Sequence, residues 1–203
     1  MSYIVYTTEG YVLQSFPKGE ESRTVYVFSR EFGLLSVHAQ GVRKGNAKLR
    51  FGLEPFSLLS FSFVRGRAGW RVIDTEELVS ARAIKSDKRK LVLAARTLTL
   101  LRRLIGVEDA ARELFDEVRA AFFALGGEGF DEKDMKRFEM ILVAKILHQL
   151  GYLPDKKHFR GDAGFIEALV HIPSWDGESL GAVAGREKEL VHAINQSLLA
   201  SQL

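Results

Sequence analysis

The chain contains no cysteine, which excludes disulfides, thiolate metal sites and thiol catalysis together. That fits a reducing compartment. No window approaches the roughly 18 uninterrupted apolar residues of a membrane helix, and the N-terminus MSYIVYTTEG lacks a basic segment followed by an apolar one. Neither a span nor a signal peptide is expected, and the default location is the cytoplasm.

The signatures of catalysis are missing as well. His38, His148, His158, His171 and His192 are scattered, and none stands four residues from another on an expected helix, so no helical zinc pair is present. There is no GxSxG, no Walker loop and no GxGxxG; Gly66 and Gly69 read as hairpin glycines. Asp131, Glu132 and Asp134 read as helix-start charges rather than a metal cluster. No enzyme and no cofactor are expected. An enzyme acting on nucleic acid would need clustered acids or histidines.

What is present is an ordinary globular composition, 46% hydrophobic and 27% charged over 203 residues, enough for one domain or two small ones. The net charge is only +3, but its distribution is uneven. Residues 41–103 hold 15 Lys and Arg against 5 acids, a net of +10, whereas residues 1–40 hold 3 against 4 and residues 104–203 hold 11 against 17. One basic third in an otherwise acidic chain points to a polyanionic partner, nucleic acid or an anionic surface. A solvated face whose charges pair in three dimensions is the alternative.

The densest cations lie in GVRKGNAKLRFGLEPF, residues 41–56, which places Arg43, Lys44, Lys48 and Arg50 within eight positions. Gly41, Gly45 and Asn46 make it a poor helix, so it reads as a basic loop between two strands.

The first 80 residues read as five strands. Tyr3 to Ser15 is β-rich with a possible sharp bend at Gly10; Arg23 to Ser29 is apolar on both faces; Leu34 to Gln40 is a third strand. Leu59, Phe61 and Phe63 alternate with Ser60 and Ser62, and Trp70 to Leu78 returns after a glycine-rich turn. This suits a small closed barrel of the oligonucleotide-binding (OB-fold) kind, with an open sandwich as the alternative.

From about residue 80 the period changes to three and four, marking a helical domain over 81–203 and an α+β, multi-domain chain. Ser86 is the expected cap of a first helix with the stripe Leu91, Ala94, Ala95, Leu98, Leu101, Leu104 and Ile105. Lys85, Lys88, Arg89 and Lys90 crowd its front, where the helix dipole disfavours them. A second helix is expected over Glu108 to Leu125 and a third over Asp131 to Leu150, capped by Gly151. Phe165 to His171 is ambiguous, Pro173 to Gly185 reads as loop, and a last helix runs over about Gly185 to Ala200.

A nucleic-acid partner requires cations for phosphates and aromatics for bases. Arg43, Lys44, Lys48 and Arg50 supply the first, extended by Arg65, Arg67 and Arg71 of the hairpin and by Lys88 and Arg89 of the first helix. Phe51, flanked by the basic loop, is the leading base-stacking candidate, with Tyr26, Phe28 and Trp70 as others more often found in cores. On the helical part, Lys136 or Arg137 at a rim and Phe138 or Tyr152 in a floor suit a short acidic peptide. A cation on a solvated helix face is the plainer reading.

These segments together resemble the RecO family of bacterial recombination mediators. The resemblance is carried by the bent first strand ending near Gln14, by Arg23 to Ser29 and Arg30-Glu31-Phe32-Gly33-Leu34-Leu35-Ser36-Val37, and by Gly41-Val42-Arg43-Lys44 and Leu53-Glu54-Pro55-Phe56-Ser57. Gly151-Tyr152-Leu153-Pro154-Asp155 adds to it after a long helix. It implies an N-terminal oligonucleotide-binding barrel (residues 1–80), a C-terminal helical domain, and no enzymatic turnover. It also implies binding of single- and double-stranded DNA and annealing of strands coated by single-strand-binding protein, whose acidic C-terminal tail docks on the helical domain. With RecR, such a protein loads the RecA recombinase at the bacterial nucleoid. Some members carry a four-cysteine zinc site after the Gly-Tyr-x-Pro segment; Asp155 to Gly164 has no cysteine, so zinc is not implied. A protein-interaction adaptor whose barrel binds a protein is the competing reading.

Overall fold

The structure, a computed structural model, describes residues 4–18, 22–40, 53–127, 129–153 and 162–200. Five strands, β1 (Val5–Lys18), β2 (Ser22–Ser29), β3 (Gly33–Ala39), β4 (Leu58–Gly66) and β5 (Gly69–Val79), close into a barrel in the order β1-β2-β3-β5-β4. This is the OB-fold architecture, and the sandwich alternative is excluded. The pairs are antiparallel except β3 with β5, where Val37 meets Trp70 and His38 meets Arg71.

β1 belongs to both walls. Val5 to Tyr11 pairs with β4, Gly10 to Lys18 pairs with β2, and a bulge falls between Val12 and Gln14. The exchange happens at Gly10, as the sequence predicts. A Cβ there would stand 2.6 Å from Val27 Cγ1 and 3.2 Å from the Phe28 carbonyl oxygen, so only glycine lets the strands approach.

Inside the barrel, Val12, Val25, Val27, Leu35, Val37, Leu59, Phe61 and Phe63 are buried around Trp70. The indole packs against Tyr6, Phe32 and Phe63 at centroid distances of 5.2, 5.3 and 6.1 Å. Each buried ring contributes roughly 1.5–3 kcal/mol. The doubly apolar β2 is explained by a second layer outside: Phe28 turns away from the lumen and meets Phe115 at 5.3 Å, as Tyr11 does at 5.8 Å.

Among the described residues there are seven helices: α1 (Arg82–Lys85), α2 (Lys88–Leu104), α3 (Arg112–Gly126), α4 (Glu132–Gln149), α5 (Ala163–Val170), α6 (Gly177–Gly181) and α7 (Glu187–Ala200). Three expectations need correction. The cap of α2 is Asp87, which accepts from the Arg89 N–H, while Ser86 closes the short α1. Leu93 and Thr97 join the buried stripe, whereas Leu91 and Ala95 lie half-buried at its edge. The next helix starts at Arg112 rather than near Glu108. Glu108 is instead in the left-handed region at φ 56°, its N–H donates to the Leu34 carbonyl at 3.0 Å, and Val107 forms a parallel bridge with Leu34. Two acids that look like a helix start therefore belong to a connector bound to β3.

The chain divides into two compact units, Met1–Phe115 and Asp116–Leu203. The period change near residue 80 marks the last strand, and the first unit continues through α2. In the second unit α4 is central and contacts α5, α6 and α7. Asp131 caps it, accepting from the Asp134 N–H at 2.8 Å. At its other end Gly151 stands at φ 73°, with Gly151 N–H donating to His148 and Tyr152 N–H to Leu147, the paired bonds of a Schellman close. The ambiguous segment is α5, and the expected loop from Pro173 contains α6. Phe138 lies buried between Phe130 (5.4 Å) and Trp175 (4.4 Å). Nearby, Lys145 is almost fully enclosed, donating to Glu117 Oε1 at 3.0 Å and to the Ile172 carbonyl at 2.6 Å, with Trp175 5.1 Å beneath its Nζ.

Two expected outcomes follow from this packing. Gly33 is at φ 63° with the Asp109 carbonyl oxygen 1.9 Å from where a Cβ would sit, whereas Gly69 is at φ 100° with nothing within 4 Å among the described residues. Gly33→Ala should cost about 3 kcal/mol or more in urea unfolding and Gly69→Ala about 1 kcal/mol, strain alone being the smaller cost; equal losses would contradict the interlock. Lys145→Met should lower stability by about 2–3 kcal/mol, because Glu117 is left half-buried without its partner.

Candidate nucleic-acid interface

The pleat that sends Val25, Val37 and Trp70 inward sends their neighbours outward. Across β1, β2, β3 and β5 the register aligns Phe16, Thr24, His38 and Arg71 in one outer row, with Gln14, Tyr26 and Ser36 in the next. Phe16 reaches this face because the bulge in β1 shifts the register after Val12. It remains 41% exposed.

Tyr26 is the centre of this face. Phe16 meets it edge-on at 6.2 Å, and the guanidinium carbon of Arg102, from the last turn of α2, stands 4.9 Å from its ring centre. A cation over an aromatic contributes about 0.5–1 kcal/mol at an exposed site. Arg102 and Arg103 also sit where the α2 dipole favours positive charge. An aromatic pair with an arginine beside it offers a base a stacking surface and a phosphate a counter-charge.

Arg65, Arg67 and Arg71 are all exposed on or beside the β4–β5 turn. Arg65 forms an ion pair with Glu108 at 3.0 Å and lies over Trp70 at 5.2 Å. Lys88 is exposed at the start of α2, while the Arg89 guanidinium is engaged by Asp87, its Nη2 2.9 Å from Oδ2. The Arg89 side-chain bond, then the Arg89 backbone N–H, hold the Asp87 carboxyl down at about 2. Lys85 pairs with Glu54 at 2.5 Å beside a cleft of about 430 Å³ whose lining mixes both signs.

The structure thus gathers Arg65, Arg67 and Arg71 at or beside one turn and adds Phe16 and Tyr26 on the sheet, with Arg102 of α2 over Tyr26. Arg43, Lys44, Lys48, Arg50 and Phe51 lie outside the described residues. Two further aromatic candidates take the core reading that the sequence favours for them and are withdrawn as base platforms: Phe28 is wholly buried against Phe115, and Trp70 is 6% exposed with its Nε1–H donating to Glu108. In the second unit Lys136 pairs with Glu132 (2.7 Å), Arg137 with Glu187 (3.0 Å), and Tyr152 is half-buried beside Gly151. Phe138 is sealed by Trp175, so a partner side chain reaches it only if that ring moves. Nothing in the sequence places Arg102 on Tyr26. The period of β2 does put Tyr26 on the face opposite Val25, the one available signal. Among the described residues no three His, Asp or Glu side chains converge as metal ligands, and no helix is long and apolar enough to cross a membrane.

Residues 1–82 match the family model described as "Recombination protein O N terminal". The chain is 30% identical over 194 residues to the DNA repair protein RecO of Klebsiella pneumoniae, covering 87% of this chain and 77% of that protein. It is 34% identical over 128 residues to the DNA repair protein RecO of Rubrobacter xylanophilus, 62% of this chain but only 51% of that relative. The corresponding protein of Syntrophotalea carbinolica matches over 97% of the chain at 27% identity. The chain spans about half the length of the Rubrobacter relative.

The grip of Arg89 on Asp87 is directly measurable. A folded carboxyl held below its unfolded value gives stability that is present above about pH 4 and is lost as the pH falls towards 2. Carboxyl NMR titration should find Asp87 near 2 in the parent. In Arg89→Gln the midpoint should rise towards the ordinary value of about 3.9; an unmoved midpoint would sink the assignment of cause.

Proposed function

Because the chain belongs to the RecO family of bacterial DNA repair proteins, we propose that it is a DNA-binding recombination mediator. It binds single- and double-stranded DNA, anneals single strands coated by single-strand-binding protein and, with RecR, helps the RecA recombinase load at the nucleoid. In this reading the barrel, about residues 1–80, carries most of the DNA, and residues 81–203 add DNA contacts from the first long helix and carry the partner contacts, including the acidic tail of single-strand-binding protein near Lys136, Arg137, Phe138 and Tyr152.

The observation that supports it best is the outer face of the barrel, where Arg102 stands over Tyr26 beside the exposed Phe16. Stacking on such a face tolerates any base, as annealing of arbitrary sequences requires. Arg43, Lys44, Lys48 and Arg50 belong to the segment joining β3 to β4, and Phe51 follows them as a further stacking residue. Arg65, Arg67, Arg71, Lys88 and Arg89 extend the cationic path. Phosphate contacts supply affinity and make it salt-dependent.

Binding of a labelled dT oligomer tests this. The double reversal Arg43→Glu and Lys44→Glu should weaken binding and flatten the slope of log K against log salt by about 1.4, two phosphates at roughly 0.7 each. Tyr26→Ala should weaken it about five-fold or more at constant slope, the loss of one stacked base. Annealing of complementary strands, bare and coated with single-strand-binding protein, with and without RecR, then separates a mediator from a passive binder. A parent that shifts no oligomer even at low salt would leave the adaptor reading in its place.

A further inference from the structure

Arg65, the innermost cation of the β4–β5 turn, already holds an anion. Its Nη2 lies 3.0 Å from Glu108 Oε2 and 3.4 Å from Oε1, and Trp70 donates its Nε1–H to Oε1 at 3.0 Å. A guanidinium and a ring N–H therefore converge on two oxygens of one oxyanion. That donor set binds a phosphate as well as a carboxylate.

Glu108 is brought there by its backbone. Its φ of 56° is one that side-chain-bearing residues rarely adopt, and the Leu34 carbonyl fixes it through the Glu108 N–H. The alternative arrangement, Glu108 at the start of a helix, is the one its sequence favours. The ion pair is open to water, the Arg65 and Glu108 side chains being 55% and 39% exposed. Pairs so placed are weak and exchange readily with other ions.

We propose that Glu108 is the resident anion of a phosphate subsite: its carboxylate occupies, against Arg65 and the Trp70 N–H, the position that a backbone phosphate of single-stranded DNA takes on binding. The proposal rests on the DNA-binding reading above. In the free protein Glu108 cancels the attraction of Arg65, so weak or short polyanions are refused and only a strand held elsewhere on the barrel displaces the carboxylate. The neighbouring Arg67 and Arg71 remain exposed on the same turn to guide the strand in.

Titration of a labelled dT oligomer at several salt concentrations, with Glu108→Gln, Arg65→Gln and the double variant, tests the exchange. Glutamine keeps an oxygen for the Trp70 N–H and removes the charge. Glu108→Gln should bind about five-fold tighter at low salt, with a slope steeper by about 0.7, one added phosphate. Arg65→Gln alone should stay within about two-fold of the parent, since its charge is already spoken for, and should abolish the gain in the double variant. Unchanged affinity and slope in a folded Glu108→Gln, or a gain that survives Arg65→Gln, overturns the subsite while leaving the function intact. If Glu108→Gln melts early, the Arg65→Gln arm decides, a loss beyond about ten-fold refuting the masking. A parent that binds no oligomer overturns both readings at once.

Discussion

A five-stranded sheet that closes on itself abolishes its free edges altogether. Here the closure runs through one short parallel contact, Val37 with Trp70 and His38 with Arg71. Trp70 is the residue on which that seam depends. Its ring fills the lumen against Tyr6, Phe32 and Phe63, and its N–H leaves the lumen to meet Glu108. A phenylalanine would fill the space but leave the carboxylate to Arg65 alone. A single side chain therefore joins the apolar interior to the charged rim.

Around that seam the basic third of the chain is less uniformly cationic than its composition implies. Arg65, Lys85 and Arg89 each have a carboxylate within 3.0 Å, from Glu108, Glu54 and Asp87. The partners come from a connector, a loop and a helix cap, so local acids temper the field at separate points. Arg102 is placed differently, over a ring at the favourable end of a helix dipole. The face that results combines moderate charge with aromatic surface.

The barrel was legible because strands announce themselves by alternation. Leu59, Phe61 and Phe63 face inward as their spacing predicts, and Gly10 lies where β1 changes partners. Legibility failed wherever a residue answers to something distant in sequence. Phe28 alternates onto the outer face of β2, and what covers it there, Phe115, comes from a helix far along the chain. Glu108 and Asp109 mimic a helix start, and the bond to Leu34 that overrides this preference leaves no local trace. In the second unit the two long helices α4 and α7 were read by period while the short α5 and α6 were not, and Arg137 and Phe138, chosen as rim and floor, are engaged by Glu187 and Trp175 through contacts that no spacing reveals.

The interlock between Gly33 and Asp109 bears on how the chain is made. The turn that begins β3 emerges from the ribosome long before the connector that packs against it. Until residues 107–109 follow, the Leu34 carbonyl lacks the Glu108 N–H and the indole of Trp70 lacks its acceptor. The barrel is thus a structure whose last piece arrives after its walls, and a fragment cut at the end of β5 is an unfinished one. The contacts of the barrel run on to Phe115, whose ring covers Phe28 and Tyr11.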